Sequence, residues 1–296
     1  MAKKLIVIVG PTGIGKTDLS INIASYFKTD ILSSDSRQFY KELSIGTAVP
    51  NLEQLNTIQH HFIQHLSIHD YYNASMFEMD SLKLLSSLFE TKNYVLLVGG
   101  SGMYIDAVCK GIDDIPDIDI EIRNSLIDRM EAEGIESLRF ELKKLDPDFY
   151  NLVDLKNKQR VLRALEVCLQ TGKSYSSFRT HLLRERNFKI VKIGLTMNRD
   201  ELYQRINLRV DQMIEQGLVE EARSMFPNKH LNSLKTVGYR ELFDYFEGKQ
   251  SFEKAIELIK RNSRHYAKRQ LSWFNRDKEI NWFNPSQFEE IVKCIE

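Results

Sequence analysis

The sequence has few cysteines, no net charge and no long hydrophobic run, and each absence excludes a class of protein. The three cysteines, Cys109, Cys168 and Cys294, are far apart and form no C-x-x-C pair, which argues against a disulfide framework and against a zinc finger. Lysine plus arginine and aspartate plus glutamate number 41 each, so the overall charge indicates no particular partner. No apolar stretch approaches the roughly 20 residues that a membrane span requires. We therefore expect a globular protein of a reducing compartment that does not associate with membranes.

The N-terminal residues favour the cytoplasm as that compartment. The segment Met1-Ala2-Lys3-Lys4 is followed directly by the apolar run 5–9, so we expect no signal peptide. The length of 296 residues exceeds one average domain. One large domain with an insertion, or two domains, is therefore expected.

A glycine-rich segment follows the first apolar run and has the spacing G-x-x-x-x-G-K-T. It is Gly10-Pro11-Thr12-Gly13-Ile14-Gly15-Lys16-Thr17, and a helical pattern over 16–27 follows it. Between a strand and a helix, this spacing is typical of a P-loop, in which backbone N–H groups and a helix N-terminus surround a phosphate. Lys16 would add a cation, and Thr17 a hydroxyl suited to bind Mg²⁺. The segment predicts a bound polyphosphate; an ordinary glycine-rich turn is the alternative.

Strand and helix patterns alternate around this loop. Apolar runs at 5–9, 30–34 and 94–98 predict strands, and helical spacing covers 16–27 and 74–90. Strand character returns at 188–195 and again, briefly, at 279–283. The last hundred residues are otherwise helical, over 199–216, 218–226, a segment starting near 238, and 252–274. This alternation predicts an α/β fold with a P-loop NTPase-like parallel sheet flanked by helices.

The middle of the chain differs in charge from the rest. Residues 113–148 contain twelve acidic and five basic residues, whereas residues 155–192 contain ten basic and two acidic ones. We predict a helical insertion domain at 114–187 in a catalytic core formed by 1–113 and 188–296. The basic helix near 156–166 and a second basic cluster at 260–269 are each consistent with a nucleic-acid surface or with a solvated basic face.

Two strand ends should border the P-loop, because ligands of such sheets bind beyond the carboxyl ends of the strands. Asp35 follows the second strand and is a candidate general base; an N-cap or a ligand of Mg²⁺-bound water is the alternative. The buried strand 94–98 ends in Gly99-Gly100-Ser101, where NTP-hydrolysing P-loop proteins usually place an acidic Mg²⁺ ligand. This absence favours a transferase over an ATP-driven motor or switch.

Several motifs, in their order and spacing, resemble one family along nearly the whole chain. They resemble the tRNA dimethylallyltransferases, or tRNA isopentenyltransferases, of the bacterial type. The matching segments are the P-loop, Asp35-Ser36-Arg37-Gln38-Phe39-Tyr40 with Ile45-Gly46-Thr47-Ala48, Gly99-Gly100-Ser101-Gly102-Met103-Tyr104, and residues 159–167 with 171–172, 209–213 with 217–218, 237–242 and 266–274. The resemblance implies transfer of a dimethylallyl group from dimethylallyl diphosphate to N6 of the adenosine immediately 3′ of the anticodon, in tRNAs that read codons beginning with U.

The resemblance also implies the roles of individual residues. Catalysis would involve Asp35, Lys16, Thr17 and Arg209, with Arg205 as the competitor of Arg209, while Thr17 would hold Mg²⁺ as the cofactor and residues 10–17 the diphosphate. The implied partners are dimethylallyl diphosphate and the anticodon stem-loop of tRNA, and we expect a monomer. The implied tRNA contacts are Asp35, Ser36, Arg37, Gln38, Ser101, Arg123, Gln159, Arg160, Val161, Leu162, Arg163, Lys235, Thr236, Val237, Gly238, Tyr239 and Arg240.

Three other functions remain open at this point. A dimethylallyltransferase acting on free AMP, ADP or ATP would share the P-loop and Asp35, although the basic insertion favours tRNA. A small-molecule kinase would hold ATP in the loop and use Asp35 to activate a hydroxyl. An RNA-binding protein with an inactive P-loop would not need Lys16, Thr17 and Asp35 together.

Overall fold

The computed structural model describes residues 3–117, 119–180 and 183–296. These residues form a single sheet of six parallel strands in the order β3-β2-β4-β1-β5-β6. The strands are β1 (Lys4–Val9), β2 (Ile31–Ser33), β3 (His60–His61), β4 (Tyr94–Gly99), β5 (Lys189–Leu195) and β6 (Asn281–Phe283). The α-helices are α1 (Lys16–Phe27), α2 (Leu52–Thr57), α3 (Ala74–Thr91), α4 (Gly102–Lys110), α5 (Ile120–Glu133), α6 (Ile135–Leu145), α7 (Pro147–Leu152), α8 (Lys158–Thr171), α9 (Tyr175–Phe178), α10 (Arg199–Glu215), α11 (Leu218–Met225), α12 (Tyr239–Phe246), α13 (Phe252–Phe274) and α14 (Phe288–Ile295).

Strand β1 lies near the centre of the sheet and is buried on both faces. Its neighbours β4 and β5 are aligned so that Val9 pairs with Gly99 on one side and with Gly194 on the other. Alternate side chains of β1 face opposite cores: Ile6 and Ile8 belong to the hydrophobic cluster that includes α1, whereas Leu5 and Val7 belong to the cluster that includes α3. Helices therefore cover both faces, as continuous apolar strands require, and the predicted fold class is confirmed.

The sequence-based boundaries agree closely where the hydrophobic pattern is strong. Helix α1 has the predicted bounds, and α3, α10 and α13 differ from prediction by at most one residue. The strands predicted at 30–34 and 279–283 are shorter than expected, at three residues each. The elements that the sequence did not predict include α2, which begins with an Asn51–Gln54 capping box, the two-residue strand β3 and the last helix, α14.

The chain divides into two compact units, Met1–Lys110 with Glu185–Glu296, and Gly111–Arg184. The prediction from sequence placed the inserted domain at 114–187. Helices α5 to α9 belong to the inserted unit and surround a core that includes Leu126, Leu138 and Phe149. Within the described residues, no helix is both long enough and apolar enough to cross a membrane.

Candidate active site

The loop between β1 and α1 has the backbone conformation that its glycines permit. Gly13 and Gly15 have φ angles of 80° and 98°, in a region that residues with a side chain rarely adopt. A Cβ atom on Gly13 would lie 2.9 Å from Cγ1 of Ile206 on α10. Ile14 is fully buried in the core beneath the loop. The loop is thus fixed between the sheet and α10, with the N-terminus of α1 at its end.

Lys16 is the central cation of this loop. Its Nζ donates hydrogen bonds to the carbonyl oxygens of Gly10 and Pro11, at 2.9 and 2.8 Å. Burial, and secondly the positive charge of Arg209, lower the pKa of Lys16 to about 7, although the Asp35 carboxylate acts in the opposite direction. Two basic, partly buried side chains therefore lie near one carboxylate, an arrangement that favours binding of a further anion.

Two arginines of α10 reach this region and differ in position. The site contains two cavities, a smaller and a larger one, and Arg209 lines both. Burial lowers the pKa of Arg209, and the Asp35 carboxylate partly offsets this effect. Arg205 lines only the larger cavity and donates from Nε to the carbonyl oxygen of Gly13, at 3.1 Å. Arg209 thus faces Lys16 and Asp35, whereas Arg205 supports the loop from outside.

Asp35 follows β2, and its carboxylate is hydrogen-bonded within the turn there. Its Oδ1 accepts a hydrogen bond from the backbone N–H of Arg37, at 3.0 Å, so the carboxylate does terminate the turn after β2. It also lines both cavities. The hydrogen bond holds the side chain in one orientation, which is what a general base needs before a substrate arrives.

Two cavities meet at Asp35. The smaller has a volume of about 350 Å³ and the larger about 1350 Å³. The larger contains the P-loop residues Thr12, Gly13, Gly15, Lys16 and Thr17. The residues common to both linings are Thr12, Asp35, Thr47, Arg209, Met213 and Tyr266.

The smaller cavity combines apolar lining residues with exposed basic ones. Ile206, Val210 and Ile259 supply apolar surface. The lining also includes Lys235, Arg240 and Arg269, all three of which are exposed. A flat, partly apolar group carried by a polyanion suits these two features together.

Outside the inserted unit, several residues that the resemblance implies as tRNA contacts also make hydrogen bonds within the protein. The backbone N–H of Ser36 donates to Oγ of Ser101, at 3.0 Å. Arg37 donates to the carbonyl oxygens of Asn232 and Ser233, at 3.1 Å each. Through these bonds the turn after β2 is joined to the turn after β4 and to residues 232–233.

The side chains of Gln38 and Tyr239 also make hydrogen bonds within the protein. Gln38 Nε2 donates to the carbonyl oxygens of Thr47 and Ala48, at 3.2 and 3.0 Å. Tyr239 is fully buried and donates to Oε1 of Glu221, at 2.6 Å. The residues around Tyr239 that line the smaller cavity are Lys235, Thr236, Val237, Gly238 and Arg240.

In the inserted unit, the segment 159–163 that the resemblance implies as a tRNA contact is only partly exposed. Val161 and Leu162 are 0% and 3% exposed and belong to the core of that unit. Consecutive residues of a helix point about 100° apart, so α8 cannot present all of 159–163 on one face. Gln159 and Arg160 are the exposed members of this segment.

Arg123 and Arg163 share one buried acidic partner. Each guanidinium lies 3.5 Å from the carboxylate of Glu166, which is 1% exposed. Arg163 also donates from Nη2 to the carbonyl oxygen of Pro116, at 2.7 Å. Both arginines therefore compensate a buried charge, in addition to whatever they contact at the surface.

The structure adds residues that the site prediction did not include. Tyr266 lies in both cavities, and burial, with a smaller effect of Asp35, raises its pKa to about 12. Gln270, one turn further along α13, accepts from the backbone N–H of Thr12. The signal for them was a polar and aromatic stripe, Tyr266, Gln270 and Trp273, at helical spacing in an otherwise basic helix.

The oxygen donors around Thr17 fit a hard divalent cation. The larger cavity is lined by Thr17, Asp18 and Asp35, whose side chains carry oxygen donors. Mg²⁺ binds oxygen ligands, and it commonly uses one or two protein groups together with substrate phosphates. The residues present therefore fit the predicted Mg²⁺ site.

Known proteins resemble this chain over nearly its whole length. Residues 38–277 match the family model described as IPP transferase. A tRNA dimethylallyltransferase 1 from Bacteroides fragilis is 55% identical over 100% of this chain and 98% of its own length. A tRNA dimethylallyltransferase from Christiangramia forsetii is 51% identical over 100% of this chain and 97% of its own length.

Solved structures extend the similarity to the whole fold. The full-length tRNA isopentenylpyrophosphate transferase from Bacillus halodurans is 36% identical, with a TM-score of 0.70 over 98% of this chain and 94% of that one. A eukaryotic dimethylallyltransferase acting on tRNA is 26% identical, with a TM-score of 0.77 over 99% of this chain and 77% of that one. The P-loop site, the parallel sheet and the similarity over the full length lead to one conclusion: this chain belongs to the IPP transferase family, the family of the tRNA dimethylallyltransferases.

Proposed function

We propose that the protein transfers a dimethylallyl group from dimethylallyl diphosphate to N6 of the adenosine immediately 3′ of the anticodon, in tRNAs that read codons beginning with U. The products are N6-(dimethylallyl)adenosine and diphosphate. The observation that carries the proposal is the meeting of two cavities at Asp35, one lined by the P-loop and the other rimmed by exposed basic residues.

The larger cavity suits the donor. In an allylic transfer, the bond between C1 and the bridging oxygen breaks, and the diphosphate leaves with the electron pair. Lys16, Arg209 and the N–H groups at the N-terminus of α1 would stabilise the charge that develops on its oxygens. Thr17 and the nearby carboxylates offer ligands for Mg²⁺, which when bound would neutralise part of the diphosphate charge.

The smaller cavity suits the acceptor base. The N6 amine would form the new bond to C1 and pass one proton to the carboxylate of Asp35. Because Asp35 is half-buried within the cavities, the adenine has to leave the stack of the anticodon loop to reach it, which single-stranded loops permit at low cost. Lys235, Arg240 and Arg269 at the rim would contact the flanking phosphates.

The inserted unit would bind tRNA through exposed residues of α8, including Gln159 and Arg160. The active unit would be a monomer. The substrate, tRNA, favours the cytoplasm as the site of action.

A single assay tests the function. The protein is incubated with labelled dimethylallyl diphosphate, Mg²⁺ and unmodified tRNA, with AMP and ATP as parallel acceptors. Label in tRNA, located at the adenosine 3′ of the anticodon, is the expected result. Label only in AMP or ATP, or consumption of ATP without prenyl transfer, would overturn the proposal.

A further inference from the structure

Gln270 lies on α13 and bonds two loops that are far apart in the sequence. Its side chain is 5% exposed. Oε1 accepts a hydrogen bond from the backbone N–H of Thr12 in the P-loop, at 2.8 Å. Nε2 donates to the carbonyl oxygen of Gly100 in the turn after β4, at 3.0 Å. One amide therefore connects the donor-binding loop with the turn that follows the neighbouring strand.

The turn after β4 is shaped to receive this side chain. A Cβ atom on Gly100 would lie 2.0 Å from Nε2 of Gln270, and one on Gly102 would lie 2.3 Å from the indole of Trp273. Trp273 itself donates from Nε1 to Oδ2 of Asp106, at 2.9 Å. Two glycines of the segment 99–102 thus allow α13 to approach closely enough for Gln270 and Trp273 to make their bonds.

The same loops determine where the two substrates would meet. Thr12 lines both cavities. Ser101, next to Gly100, accepts from the backbone N–H of Ser36, next to Asp35. A chain of contacts consequently runs from the P-loop through Gln270 and Gly100–Ser101 to the turn that holds Asp35.

An amide is the side chain that this position requires. It has one acceptor and one donor, and here each is paired with a backbone group of the opposite kind. A thioether of similar length would leave the N–H of Thr12 and the carbonyl of Gly100 unpaired in a buried place. A carboxylate would keep the bond from Thr12 but lose the donor to Gly100.

We propose that Gln270 is a positioning residue of the transfer reaction: it holds the P-loop at a fixed distance from the turns that carry Ser101 and Asp35. The leaving diphosphate is thereby aligned with the base that takes the proton from the amine. The inference rests on the proposed function, because its effect is on that reaction. Gln270 acts through Thr12 and Gly100 and not on the reacting atoms.

The expected effect is on turnover more than on substrate affinity. Misplacement of reacting groups by about 1 Å can lower a rate by about 100-fold. For Gln270→Met we expect kcat to fall by at least about 10-fold, with KM for dimethylallyl diphosphate and for tRNA changing less than about 3-fold. Gln270→Glu should show the same loss of kcat and, in addition, a higher KM for the donor, because the new negative charge lies near the diphosphate.

Trp273→Phe is the matched control. It removes a hydrogen bond from the same face of α13, to Asp106 on α4, without touching the P-loop. The experiment measures kcat, both KM values and Tm for the wild type, Gln270→Met, Gln270→Glu and Trp273→Phe, with kinetics well below the lowest Tm. The expected pattern is a lowered Tm in Gln270→Met and Trp273→Phe, with kcat lowered only in the Gln270 variants.

The outcomes separate the inference from the function on which it rests. If the wild type transfers the prenyl group and Gln270→Met retains the kcat of Trp273→Phe, Gln270 has only a structural role and the inference is overturned. If the wild type does not prenylate tRNA, the proposed function fails and the inference fails with it. Should Gln270→Met not fold, Gln270→Asn, which is too short to keep both bonds, gives the same comparison.

Discussion

Asp35 is the carboxylate that interacts with the basic residues of the site. It lies in both cavities, it affects the pKa of Lys16 and of Arg209, and it accepts a hydrogen bond from Arg37. A carboxylate that is held in one orientation and exposed to a cavity can accept a proton as soon as the amine begins to bond.

The first prediction concerns this carboxylate. Asp35→Asn keeps the shape of the side chain and its bond from Arg37 but removes the base, so kcat should fall by about 10²–10⁴-fold. The affinity for tRNA, measured by filter binding or anisotropy, should stay close to that of the wild type. A parallel loss of tRNA affinity of the same size would show that Asp35 acts mainly in recognition.

At the scale of the elements, one carboxylate of α11 holds the backbone of the loop 44–48 in place. Glu221 accepts hydrogen bonds from the backbone N–H groups of Ser44, Ile45 and Gly46, at 2.9, 2.8 and 2.8 Å, and from the hydroxyl of Tyr239. Three consecutive N–H groups are thereby paired by a single side chain. Thr47, which follows them, lines both cavities, so the position of this loop affects the site.

The second prediction follows from that dependence. Glu221→Ala should lower the free energy of unfolding by at least about 2 kcal/mol, because it leaves several N–H groups unpaired. Glu220→Ala, at the exposed neighbouring position, is the control and should change stability by less than about 0.5 kcal/mol. Urea denaturation of both variants checks this, and equal stability of the two would contradict the role of Glu221.

A third prediction concerns the end of the sheet near β5 and β6. Partial burial disfavours the ionised carboxyl of Asp277, but hydrogen bonds from Lys192 and Lys110 outweigh this effect and lower its pKa to about 2. The two lysine Nζ atoms lie 2.8 and 2.9 Å from Oδ2 of Asp277. In the unfolded chain an aspartate has a pKa of about 3.9.

Since the pKa of Asp277 is lower in the folded state, its contribution to stability is present above about pH 4 and is lost as the pH falls toward 2. Asp277→Asn cannot titrate. The difference in the free energy of unfolding between wild type and variant should therefore shrink between pH 5 and pH 2.5, as measured by urea denaturation at each pH. A difference that does not vary with pH would show that the ion pairs of Asp277 do not make the free energy of unfolding depend on pH.

At the scale of the whole molecule, the sequence predicted what local patterns encode. The P-loop, the helices α1 and α13 and the parallel sheet follow from glycine spacing and hydrophobic periodicity within short segments. The bond between Thr12 and Gln270 joins residues 258 positions apart, and no local pattern specifies it. The burial of Val161 and Leu162 was predictable in principle from helical periodicity, whereas the shared partner Glu166 of Arg123 and Arg163 depends on how α5 packs against α8.

The final prediction tests the inserted unit as a tRNA-binding surface. It compares Arg160 with Arg163, which lies beside the buried Glu166. Arg160 is exposed, so Arg160→Gln should weaken tRNA binding and reduce the slope of log K against log salt by about 1 if the side chain contacts a phosphate. Arg163→Gln should also lower Tm, because it removes a partner of the buried Glu166. Lys143→Gln, in the acidic segment 113–148 at an exposed position of α6, is the control for general charge. If the salt slope of Arg160→Gln equals that of Lys143→Gln and of the wild type, α8 does not contact the tRNA, and the function of the insertion has to be found in its packing.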